Sequence, residues 1–161
     1  MIKIYFDLDG TVYDLYGLPD WLEKLRTETA GAYTDGEPLF DENSFYNIIS
    51  NLLLEGVKFG VITWLAMQAS EEYEASTTEE KRNWCKKFLP FIESFAAQSY
   101  GTPKQKAIGK HTAIEILIDD NSEVCKVWET KKQRKAYCVS KDYTVCDALT
   151  DIYNKYFEGA A

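Results

Sequence analysis

The chain has 161 residues, 45% hydrophobic and 27% charged, which suits one globular domain with a sizeable core. A formal net charge of −8 argues against binding extended nucleic acid, which needs basic surface, but leaves room for a small phosphorylated partner. Four cysteines without a CxxC pair, and a single histidine at His111, argue against zinc, and no apolar run approaches membrane-spanning length. No membrane partner is expected, and with no signal-peptide pattern at the start the expectation is a soluble cytoplasmic protein.

Residues 2–7 (IKIYFD) read as a strand that runs into a turn at Gly10. The stretch 13–41 interrupts the rhythm. YGLPDWLEKLRTETAGAY has helical spacing and TDGEPLFDE has loop composition, so a small cap insertion overhanging the strand's carboxyl end is expected. FDENSFYNIISNLLLEG puts Phe45, Ile48, Ile49 and Leu52 on one helical face, with Asp41, Asn43 or Ser44 to cap it and Gly56 to end it. VKFGVIT is the second strand. SEEYEASTTEE reads as a solvated loop and helix start. The helix within STTEEKRNWCKKFLP carries a stripe of Trp84, Cys85, Phe88 and Leu89 and stops at Pro90. ESFAAQ and EILID are the third and fourth strands. SEVCKVWET follows, with Val124, Val127 and Trp128 on one face. KAYCVS is the fifth strand. The last helix, in DYTVCDALTDIYNKYF, offers Val145, Leu149, Ile152 and Tyr156. This alternation predicts a single α/β domain over 1–161, with a mostly parallel five-stranded sheet in a three-layer, Rossmann-like arrangement.

In such sheets ligands bind beyond the carboxyl ends of the strands. Asp7 and Asp9 stand there, two apart and so turned to the same side of an extended chain. Close carboxylates resist ionising together, and a hard divalent cation such as Mg²⁺ removes the penalty. An EF-hand loop does not fit, because its twelfth position falls on Leu18. The fourth strand ends in a second acidic pair, Asp119 and Asp120, at the same sheet edge. Thr63 closes the second strand with a hydroxyl that either caps the next helix or meets an anion. Lys104, after Pro103, is poorly placed for a helix start unless it faces an anion or the acids. Lys106 and Lys110 are its rivals. Trp21, Tyr33, Phe40 and Trp64 are aromatic candidates for stacking or for excluding water.

These segments, in this order, resemble the haloacid dehalogenase superfamily of phosphotransferases. DLDGT (Asp7 to Thr11) is similar to its first motif, VIT ending at Thr63 to the second, Lys104 to the third, and Asp119–Asp120 to the fourth. The resemblance implies a Mg²⁺-dependent phosphomonoester hydrolase. Asp7 would be the nucleophile, forming an aspartyl-phosphate. Asp9 would protonate the leaving oxygen and then activate water. The metal would be held by the Asp7 carboxylate, the Asp9 backbone carbonyl and Asp120, with Asp119 close by. Gly10, Thr63, Trp64 and Lys104 would surround the phosphoryl group. LIDDN and KRNWCKKFLP are similar to the 5'-deoxyribonucleotidase branch, which implies a nucleotide substrate and brings Lys86 or Lys87 towards the phosphate. A phosphosugar, phosphoprotein or nucleic-acid end is the alternative substrate class, and a non-catalytic binding module with this fold is the alternative function.

Overall fold

In the computed structural model, residues 1–109 and 113–158 are described, so Lys110 and His111 lie outside them. The five runs with strand character all form strands: β1 (Ile2–Phe6), β2 (Lys58–Trp64), β3 (Ser94–Gln98), β4 (Ile114–Asp119) and β5 (Arg134–Cys138). They build one sheet in the order β3-β2-β1-β4-β5, every pair parallel. β1 is central, and the chain reverses direction about it: β2 lies on one side and β4 on the other. The register pairs Phe6 with Val61 and with Ile118, so Asp7 and Asp119 emerge side by side at one edge, while β2 runs three residues further to Trp64.

The helices are α1 (Trp21–Arg26), α2 (Glu42–Leu54), α3 (Glu71–Phe88), α4 (Ser122–Trp128) and α5 (Val145–Tyr156). Strand alternation divides the core between the two sheet faces. Ile4, Phe6, Phe59, Val61, Ile116 and Ile118 point to one face, where Phe45 and Leu52 of α2, Trp84 of α3 and Leu149 of α5 cover them. Tyr5, Ile62 and Leu117 point to the other face and meet Trp128 of α4. Asp41 is the cap of α2, its carboxylate accepting from the Ser44 N–H at 2.9 Å. α5 opens with a reciprocal Thr144–Asp147 capping box.

Three expectations change. α3 starts at Glu71, capped by Ser70, so the acidic run is helix rather than loop. Its first turn holds Glu71, Glu72 and Glu74, which suit the positive end of a helix. In α4 it is Cys125 that is buried beside Trp128, while Val127 is 46% exposed. Within 13–41 only the six residues of α1 are helical; the remainder is turn, tied to the core by a bridge between Tyr13 and Pro38. No helix among the described residues is long and apolar enough to cross a membrane.

Candidate active site

The carboxyl edge of β1, β2 and β4 floors a cleft of about 390 Å³. Asp7 follows β1, and its N–H donates to the Ile118 carbonyl at 2.9 Å, which fixes it against the end of β4. Asp119 ends β4. Lys104 comes from a short 3₁₀ turn, Lys104–Ala107, and is buried. Its ammonium lies 2.6 Å from Asp7 Oδ1 and 2.6 Å from Asp119 Oδ2. Burial alone would lower the Lys104 pKa, but the two carboxylates more than offset this and raise it. Lys106 is exposed, so Lys104 is the inward lysine of these two.

Asp9 turns to another cation. Its Oδ2 lies 2.8 Å from the ammonium of Lys81, on α3. Lys81 is 1% exposed and also donates to Thr63 Oγ1 at 2.9 Å and to the Trp64 carbonyl at 2.6 Å. The Tyr33 ring covers it, with the ammonium 4.3 Å from the ring centre. The other Asp9 oxygen, Oδ1, is buried without a hydrogen-bond partner among the described residues. Burial raises the Asp9 pKa; Lys81 opposes the rise and the Asp7 charge adds to it. Lys86 and Lys87 do not approach the cleft. Lys86 donates to Asn83, and Lys87 sits over the Phe88 ring.

Thr63 is fully buried and does not line the cleft. Its hydroxyl accepts from Lys81 and donates to the Trp64 carbonyl at 3.3 Å, so it neither caps α3 nor faces an incoming anion directly. Trp64 does line the cleft. Its indole N–H donates to the Thr102 carbonyl at 2.7 Å, and its ring centre is 5.5 Å from the Lys104 ammonium. The Gly10 N–H is committed to the Tyr13 carbonyl. What Gly10 contributes is room: φ is +76°, and a Cβ there would stand 2.4 Å from Asp120 Oδ2.

Asp7, Asp119 and Asp120 each present an oxygen within 4.8 Å of the others. Asp120 is pushed up to about 7, first by burial and then by the charges of Asp7 and Asp119. Asp119 is pushed up to about 6 by burial and by Asp7, despite Lys104. An anionic, all-oxygen trio under such repulsion fits a hard divalent cation such as Mg²⁺. Lys104 engages one oxygen of Asp7 and one of Asp119, and it makes no ion pair with Asp120. The Asp9 carboxylate is not in the trio, because Lys81 holds it.

No family model and no curated protein matches the sequence. Among solved structures the chain is similar to the crystal structure of D,D-heptose 1,7-bisphosphate phosphatase from Burkholderia thailandensis. The TM-score is 0.52 at 9% identity, over 94% of this chain and 98% of that one. The likeness is one of fold: a parallel five-stranded sheet between layers of helices. Lys81 is the site residue that the motif spacing missed. It was within reach of the helical pattern, since it lies three and four residues before Trp84 and Cys85, on the stripe that Tyr73 and Thr77 extend.

Proposed function

We propose that this chain is a phosphomonoester hydrolase that depends on Mg²⁺ and works through an aspartyl-phosphate on Asp7. What supports this most directly is the juxtaposition of the Asp7 carboxylate with Lys104 at 2.6 Å, beside the Asp119–Asp120 pair on the floor of a cleft. Asp7, Asp120 and Asp119, with the Asp9 backbone carbonyl, would hold the cation, whose contribution is to neutralise charge on the transferring group.

In this reading an Asp7 oxygen attacks phosphorus in line with the ester oxygen. The oxygen–phosphorus bond to Asp7 forms as the ester bond breaks. Lys104 stands where it offsets the charge carried by the phosphoryl oxygens. Asp9, its pKa raised, gives its proton to the leaving oxygen; Oδ1 is the oxygen free to carry it. A water then gives a proton back to Asp9 and attacks the acyl phosphate, which releases inorganic phosphate and restores Asp7. Thr63 and the Trp64 carbonyl act one step back, by holding Lys81 on Asp9. The segment 13–41 is the cap: Leu15, Tyr16, Trp21 and Tyr33 from it line the cleft over the carboxylates.

The substrate is a small phosphomonoester, either a nucleoside monophosphate or, as for the similar phosphatase, a phosphosugar. Hydrolysis of p-nitrophenyl phosphate should require Mg²⁺ and should fall to background in Asp7→Asn. A correctly folded protein that turns over no phosphate ester under any divalent metal would instead be a binding module.

A further inference from the structure

Away from the carboxylates and lysines, the cleft is walled by aromatic and aliphatic side chains. Tyr16 and Trp21 come from the 13–41 segment and pack edge to face, with ring centres 5.1 Å apart. Trp64 and Tyr100 come from the strand ends β2 and β3 and form a second pair, also 5.1 Å apart. Exposure sharpens the pattern. Of the nine large apolar side chains exposed among the described residues, four line this one cleft: Tyr16, Leu22, Met67 and Tyr100. Apolar surface concentrated at the mouth of a polar floor marks a place that something apolar covers.

The polar groups on these walls are few. The Asn121 side-chain oxygen is spent on the N–H groups of Glu123 and Val124. Arg26, at the end of α1, lines the cleft and makes no ion pair with a described residue. Besides Arg26, the walls offer only the polar tips of Tyr16, Tyr100 and Trp21 and the Asn121 amide nitrogen, too few to replace the water around a body with a hydroxyl on every carbon. A flat ring loses little water and gains contact with four aromatic faces or edges. Resting on the hydrolase reading only for the phosphoryl end, we propose that the body of the substrate is a flat aromatic ring. The ring is held by the Tyr16–Trp21 and Trp64–Tyr100 pairs and carries an acceptor or anionic substituent that meets Arg26.

Equilibrium binding of non-hydrolysable phosphonates, followed by calorimetry with Mg²⁺ present, separates this proposal from turnover and from leaving-group chemistry. Benzylphosphonate should bind about tenfold more tightly than the 6-phosphonate analogue of glucose, with 4-carboxybenzylphosphonate tighter still. Trp21→Ala should weaken both aromatic ligands, and Trp21→Phe should restore part of the loss. Arg26→Ala should erase the advantage of the carboxyl. Equal or tighter binding of the sugar analogue, or tighter binding of octylphosphonate, overturns the aromatic assignment; a carboxyl advantage that survives Arg26→Ala overturns the role of Arg26. If the phosphonates rank as expected yet no ester is cleaved, the hydrolase reading fails and the ring site stands.

Discussion

Two lysines divide three of the four carboxylates between them, and each division has a distinct consequence. Lys104 is shared by Asp7 and Asp119, which ties the ends of β1 and β4 together. Lys81 belongs to Asp9 and holds its charged form down in pKa against burial. Removing that cation lets the Asp9 pKa climb further. Lys81→Met should therefore move the Asp9-dependent limb of the kcat pH profile upward by about one unit, as expected for losing an opposite charge in contact. A profile that keeps its shape while kcat falls would mean that Lys81 only fills space. At Gly10 the constraint is steric as well as conformational. A methyl group would meet Asp120 and the Tyr16 ring, so glycine is what lets the first acidic turn approach the last.

At the scale of elements, the 13–41 segment is short of helix yet firmly attached to α3. Glu80 accepts from the N–H groups of Gly31 at 2.9 Å and Tyr33 at 3.2 Å. Glu28 takes the Ser70 N–H at 2.6 Å at the start of α3, and the Tyr73 hydroxyl donates to the Thr29 carbonyl at 3.2 Å. Glu80→Ala should raise KM and speed proteolysis within 13–41, with only a small change in the midpoint of global unfolding. Unchanged proteolysis would show that the remaining contacts suffice. The strands were legible from sequence because buried parallel strands are short apolar runs bounded by turn residues, and all five runs fall within a residue or two of β1 to β5. The insertion was less legible, because YGLPDWLEKLRTETAGAY keeps helical spacing beyond the six residues that fold as α1. There tertiary anchors on α3 outweigh local propensity. The gathering of Asp7, Asp119 and Asp120 was readable because strand ends in a parallel sheet share an edge; Lys104 instead reaches them from the 3₁₀ turn after β3. Lys81 was hidden because its partner, Asp9, lies 72 positions away, and a lysine on a helix ordinarily reads as solvated.

For the molecule as a whole, the sheet order places the acidic ends of β1 and β4 side by side, and folding must bear their repulsion. Asp119 at about 6 and Asp120 at about 7 lie above their unfolded value of 3.8. A carboxyl raised in this way binds more protons folded than unfolded, so the metal-free protein loses stability as pH climbs from about 4 through 7. A divalent cation relieves that loss and competes with protons for the same oxygens. The rise in melting temperature on adding Mg²⁺ should thus be largest near pH 8 and nearly vanish at pH 5. A rise independent of pH would place the ion elsewhere. At the far side of the sheet a second buried pair, Arg134 and Glu115 at 2.6 Å, joins β5 to β4.

Counting charge around Lys104 gives an order of addition. With all three ionised, Asp7, Asp119 and Asp120 face one ammonium ion, so the trio keeps a deficit equal to one divalent cation. A phosphate ester arriving first meets net repulsion; arriving second, it meets a neutral surface. Product inhibition by inorganic phosphate should follow the same rule and be weak until the ion is present.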